Sequence, residues 1–218
     1  MTAFAELAAA PDATIDLLAL AMAAEFREVD VATAMATLDT LGADLSAAAQ
    51  RTTGSPQEVT AACTDVLGAV HRFEGDREHY DDPQNSMLDV VLERRRGLPI
   101  LLSVVYIEAA RRAGIALAGV GLPGHFVVGH FGADPPLMID PFGGGGPIDS
   151  QLPVGSVRPW TAHEIAMRML NNLVFSYQRR GDLTGAIRAA QLRLLLPAPE
   201  ALRDTVATEL RTLQARLN

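Results

Sequence analysis

Imidazole, carboxylate and hydroxyl groups carry much of acyl-transfer chemistry, and this chain has one of each in a suggestive order. His125 follows Pro123-Gly124 and enters an apolar run, Asp140 closes the next run, and Ser103 lies in an apolar helical stretch upstream. If the chain turns over Gly132–Pro135, Phe131 faces Pro136 and Val127 faces Asp140. His125 is then a diagonal, same-face neighbour of Asp140, at roughly 7 Å between Cα atoms. A carboxylate at that distance can fix the tautomer of the ring. A loop one residue longer puts the two on opposite faces. The pair therefore has two readings: contact with a ligand or substrate, or a satisfied polar couple that holds a sheet together. Ser103 reads either as a nucleophile activated by His125 or as a small residue packed in an apolar helix.

The other reactive side chains offer less. Cys63 is the single cysteine and lies inside the stripe Val59, Ala62, Cys63, Val66, Leu67, Val70, Phe73. That setting describes a core thiol, since a reactive one needs an accessible, electropositive surrounding. One cysteine also excludes an intrachain disulfide and any zinc site of several thiolates. His130 is five residues from His125 and on the opposite strand face, so the two cannot share a metal, and His71 and His79 read as surface or capping groups. No metal and no cofactor is expected. The run Gly143-Gly144-Gly145-Gly146 lacks the Lys-Ser/Thr ending of a phosphate loop. Asn85 and Ser86 read first as helix caps, with Asn85 as a donor to a bound carbonyl the alternative.

These residues need a scaffold, and the periodicity supplies one. Ile15, Leu18, Ala19 and Met22, then Val31, Met35, Leu38 and Leu45, recur at helical spacing. Gly54-Ser55-Pro56 breaks the pattern, with Ser55 as N-cap and Pro56 at the first helical position. A helix runs from Asn85 or Ser86 to about Arg95, with the cluster Arg94-Arg95-Arg96 at its C-terminal end, and a buried one from Leu98 to Ala113, opened by Pro99 and closed by Gly114. The period then changes to short strands over 116–122, 126–131 and 137–140. From Thr161 it is helical again. The fold class is α+β: a helical region 1–74, a core 75–158 with a small antiparallel sheet, and a helical hairpin 159–218.

Composition bounds the function. The chain has 218 residues, a formal charge of −8, 18 basic residues that are all arginine, and 49% hydrophobic residues. An acidic chain without a basic face is a poor nucleic-acid binder. Without lysine, Schiff-base chemistry is closed to it. The most apolar stretch, 98–107, is about half the ~20 residues of a membrane span. The start of the chain lacks the basic, then apolar, pattern of a secretory signal. The expectation is a cytoplasmic protein that engages neither nucleic acid nor membrane.

The order of motifs adds a resemblance. Gly75-x4-Tyr80-Asp81-Asp82-Pro83-Gln84-Asn85-Ser86, Arg95-Arg96-Gly97-Leu98-Pro99-Ile100, Arg111-Arg112-Ala113-Gly114, Pro123-Gly124-His125-Phe126 and Ile139-Asp140-Pro141-Phe142 follow one another. Together they resemble the transglutaminase-like core, a papain-related fold built around a Cys-His-Asp thiol triad. With Arg168-Met169-Leu170-Asn171-Asn172-Leu173 and a tetratricopeptide-like hairpin ending at Pro197, the pattern is most similar to SirB-type members. The resemblance implies that His125 and Asp140 fill the His and Asp positions and that Pro99 fills the Cys position. It further implies that Tyr80 and Asn85 border the former groove. Proline has neither a nucleophile nor an N–H for an oxyanion. The expected function is a non-catalytic, regulatory module that binds a protein or peptide through Tyr80, Asn85, Pro99, His125 and Asp140. The alternative is an amide or ester hydrolase in which His125 and Asp140 activate Ser103 or water.

Overall fold

A computed structural model describes residues 2–148 and 157–217 of the chain. Three helices open it: α1 (Ala3–Ala9), α2 (Ile15–Ala24) and α3 (Val31–Ala49). Asp30 caps α3 by accepting from the Thr33 N–H at 3.0 Å, which meets one of the donors that every helix start leaves open. Helix α4 (Pro56–Cys63) starts as expected, with the Ser55 side chain accepting from Glu58 N and Pro56 at its first position. The continuous helix expected through Phe73 is not continuous: after Cys63 the backbone widens into a π-helical stretch, Thr64–Val70.

The centre of the molecule is α6 (Pro99–Arg112), apolar on nearly every side and buried from Pro99 to Tyr106. A helix apolar all round belongs inside a core. It packs against α3, against α5 (Leu88–Arg94), and against the strands β3 (Leu117–Leu122) and β4 (His125–His130). Its one charged interior group, Glu108, sits in a buried ion cluster with α2. Arg112 donates to Asp16 at 2.8 Å, to Glu108 at 2.8 Å and to the exposed Asp39 at 2.7 Å. Asp16 also accepts from Leu17 N and from Thr14 Oγ1. Burial alone would push the Asp16 carboxyl up, but the bonds from Thr14, Arg112 and Leu17 outweigh it and hold the group below its ordinary value. Burial and the neighbouring Asp16 push Glu108 up.

The sheet order is β3-β4-β5-β6, all antiparallel, with β5 at Leu137–Asp140 and β6 at Gly146–Pro147. Pro123-Gly124 makes the two-residue turn between β3 and β4, where Leu122 faces His125 and Gly124 adopts φ +70°. That is the left-handed conformation glycine takes at no steric cost. Val128 pairs with Ile139 and Gly129 with Met138. Carried one step on, this register sets Val127 against Asp140, as a turn over Gly132–Pro135 predicts. A separate two-residue parallel bridge joins β1 (Glu74–Gly75) to β2 (Arg96–Gly97).

After the sheet, α7 (Ala162–Arg179) begins with a full capping box between Thr161 and Glu164. It forms a hairpin with α8 (Leu183–Arg193), and a further helix, α9 (Glu200–Leu217), packs on α8. One hydrophobic cluster runs from Phe4 to Leu213 and joins the three ranges 1–74, 75–158 and 159–218. Residues 149–156, inside the second range, lie outside the described residues.

Candidate functional site

His125 opens β4 and Asp140 ends β5, so the register described above decides whether they meet. They do: His125 Nε2 lies 3.0 Å from Asp140 Oδ1, and each side chain keeps roughly a quarter to a third of its surface exposed, 30% and 26%. The same Asp140 oxygen accepts the Phe142 N–H at 3.0 Å and so caps the short 3-10 turn Pro141–Gly143. The carboxylate is thus held from its own chain before it meets the ring. His125 is anchored from outside the sheet as well, because Arg168 of α7 donates to its backbone carbonyl at 3.0 Å.

Phe142 organises the surroundings. Its ring meets His125 edge-on at 6.3 Å and Tyr80 edge-on at 6.0 Å, and the Arg77 guanidinium lies over it at 5.0 Å. Such edge-to-face and cation–π contacts each add about 0.5–1.5 kcal/mol beyond burial. Gly75 makes the arrangement possible: a Cβ there would lie 2.4 Å from the Phe142 ring. Through its pairing with Gly97, Gly75 also ties this ledge to the strand that leads into Pro99. Tyr80, 46% exposed, His125, Asp140 and Phe142 form an open polar-aromatic face. Among the described residues, cavities of about 370–910 Å³ open elsewhere, and Tyr80, Asn85, Pro99, His125 and Asp140 line none of these.

Several expected contributors sit away from this face. Pro99 is the first residue of α6 and is buried. Ser103 is fully buried, and its hydroxyl donates to the Pro99 carbonyl at 2.8 Å, one turn back in the same helix. A hydroxyl spent on its own helix and closed to solvent meets neither requirement of a nucleophile. Cys63 is fully buried, and burial pushes its thiol up to about 12. At neutral pH it carries no thiolate to react.

Asn85 and Ser86 require a correction. Helix α5 starts at Leu88 with Met87 as an N-cap that gives no side-chain bond, so neither residue caps it. A short 3-10 turn, Pro83–Ser86, turns both inward, to 1% and 0% exposure. The Asn85 amide donates to the His79 carbonyl at 2.8 Å and to Asp76 Oδ2 at 3.2 Å, which shapes the loop that presents Tyr80. Asn85 therefore supports the loop beneath the face. His130 accepts the Gly132 N–H, and His71 pairs with Asp44. Among the described residues no group of three or more His, Cys, Asp or Glu is placed to hold a metal ion, and no helix is long and apolar enough to cross a membrane.

The sequence reading missed Phe142 and Arg168 as site residues. Both stand in motifs quoted above, but only the tertiary contacts to His125 show what they do there.

Comparison with known proteins bears on the whole constellation. Residues 32–167 match the family described as the transglutaminase-like superfamily. The chain is 40% identical to a UPF0162 protein of Xylella fastidiosa (strain 9a5c) over 152 aligned residues, covering 61% of this chain and 54% of that protein. It is 32% identical to a UPF0162 protein of Pseudomonas aeruginosa over 124 residues, covering 50% of this chain and 45% of the relative. A stretch covering 33% of this chain is 37% identical to 11% of the human F-box only protein 21. The chain thus spans about half the length of these UPF0162 relatives. No solved structure matches it. The matched segment covers well over half of the chain and contains His125, Asp140 and the start of α6, and on that ground the chain belongs to the transglutaminase-like superfamily.

Proposed function

We propose that this chain is a non-catalytic transglutaminase-like protein of SirB type, in which Pro99 stands where the superfamily's thiol would be. The open face of Tyr80, His125, Asp140 and Phe142 then serves as a docking surface for a protein or peptide segment, with a regulatory outcome in the cytoplasm. One observation carries this reading. The His125–Asp140 pair is kept together and partly exposed, while the three positions that could supply a nucleophile are a buried proline, a sealed hydroxyl and a sealed thiol. A half-exposed polar-aromatic ledge of this kind is the surface that interfaces favour, since Tyr and other aromatic side chains give large contact area at small entropic cost. The match to a small part of the much longer F-box only protein 21 fits a module that is carried within larger proteins.

A second reading has one specific observation behind it. Asp140 lies against Nε2 of His125, which leaves Nδ1 to act on a water molecule, and such a site would make the chain an amide or ester hydrolase. Intact-mass spectrometry of the native protein, exposed separately to a fluorophosphonate and to iodoacetamide, tests the main reading. No adduct is the expected result for either reagent. Stoichiometric fluorophosphonate labelling that is abolished in both His125→Ala and Ser103→Ala would sink it and make the protein a serine hydrolase.

A further inference from the structure

The motif Arg168-Met169-Leu170-Asn171-Asn172-Leu173 has no role on the Tyr80–His125 face beyond the single bond from Arg168. Its polar members point elsewhere. Arg168 and Asn172 are four residues apart on α7, hence on one helix face, and both line a cavity of about 650 Å³ between α7 and the segment that leads into α9. Trp160 forms another wall, and Met167, Pro197 and Leu202 supply an apolar shelf.

The charge of this cavity is unusual for the molecule. Arg158 and Glu164, both on its rim, neutralise each other at 2.5 Å. Arg168 has no carboxylate partner among the described residues. Its guanidinium is half-buried, bonded to the His125 carbonyl and stacked 5.7 Å from Phe126 and 5.8 Å from Trp160. A partly desolvated cation without a counter-ion is an open electrostatic position, and guanidinium answers carboxylate with parallel charge-assisted bonds. Asn171 spends its carbonyl oxygen on Arg193 at 2.8 Å, which leaves its amide N–H groups, with those of Asn172, as donors. A cavity of about 910 Å³ differs in sign: it carries Glu28, Asp30, Asp89 and Glu93 against Arg27.

We propose that this cavity binds an acidic peptide segment of a partner protein, with a carboxylate on Arg168 and Asn172 and neighbouring apolar side chains on the Met167–Leu202 shelf. Charge complementarity selects the acid. The volume and the apolar shelf select a peptide over a lone anion. None of Tyr80, His125, Asp140 and Phe142 lines the cavity; Arg168 alone touches both places, through its bond to the His125 carbonyl.

Trp160 is the only tryptophan in the chain and lies in the wall of the cavity, so its emission reports occupancy without a label. The probe is an unlabelled, acetylated hexapeptide of alternating glutamate and leucine, titrated at low salt beside its glutamine-for-glutamate counterpart. The expected result is a saturable change in emission for the acidic peptide, with the neutral one about tenfold weaker. Two variants place a repelling carboxylate on the wall: Asn172→Asp, which keeps the side-chain shape, and Leu202→Glu, at a residue 40% exposed. Each weakens the acidic peptide by about tenfold or more while keeping the wild-type circular dichroism spectrum and thermal melt. Absence of a saturable signal, equal affinity for the two peptides, or wild-type affinity in both folded variants would overturn the proposal.

Discussion

Replacing Asp16 by alanine removes the centre of the buried ion cluster between α2 and α6. Asp16 is fully buried and receives Arg112 at 2.8 Å, Arg111 at 3.4 Å, the Leu17 N–H at 2.8 Å and the Thr14 hydroxyl. Breaking one partner of a buried pair costs about 3–5 kcal/mol, mostly because the other charge is left uncompensated. Here Arg112 keeps Glu108 and the exposed Asp39, so the loss belongs at the low end, about 3 kcal/mol. For a chain of this size that is a fall in melting temperature of roughly 6–12 °C. Urea titration at pH 7, followed by both circular dichroism and Trp160 emission, measures it. The sign with pH is set by the two carboxyls. Asp16 sits below its ordinary 3.8, so its contribution is present above that value and is lost as pH falls through its folded pKa. The deficit of Asp16→Ala should therefore shrink in acid. A loss below about 1 kcal/mol at pH 7, or a deficit that grows on acidification, would refute the argument.

Glu108 is displaced upward from 4.5, so the fold favours its neutral form and that contribution fades as pH rises through the folded pKa. Glu108→Gln should gain stability relative to the parent as pH increases, read from urea midpoints across the acid-to-neutral range. Gly75→Ala puts a Cβ 2.4 Å from the Phe142 ring and should cost about 1–3 kcal/mol, while moving the His125 ring resonances in an NMR spectrum. Tyr106 is fully buried and its hydroxyl has no partner among the described residues, so Tyr106→Phe should leave stability unchanged or raise it by up to about 1 kcal/mol. A loss greater than that would indicate a bound water at the phenol.

How far the primary structure disclosed the site depends on the kind of signal. The meeting of His125 with Asp140 was legible mainly from the order of motifs shared with the transglutaminase-like core; strand alternation with a turn over Gly132–Pro135 allowed it, but a loop one residue longer would have parted the two. Ser55-Pro56 and Pro123-Gly124 were legible for other reasons: proline has a fixed φ, serine caps a helix start, and glycine takes a positive φ at no steric cost. Asn85 and Ser86 were misread as caps because polar residues before a helix look alike whether they face its N–H groups or the interior. The 3-10 turn set by Pro83 makes that choice. The widening after Cys63 turns Val70 out to solvent, 68% exposed, although the apolar spacing in the sequence runs on through it and gives no sign of the change. The bridge between Gly75 and Gly97 is two residues long on each side, too short for any periodicity to register.

The continuity of the hydrophobic cluster from Phe4 to Leu213 separates what is inherited from what can fold. The segment shared with the superfamily starts at residue 32, which drops α1 and α2 and with them the fully buried Phe4, Leu18 and Met22. It stops at residue 167, inside α7, before Met169, Leu170 and Leu173, all without exposed surface. Cut out along those borders, the piece would lose the Arg168 tether on His125 and open the core on two sides. The segment that matches the superfamily is therefore smaller than the unit that the continuous core holds together. A fragment of this chain confined to residues 32–167 would need a substitute apolar cover at both ends before it could fold.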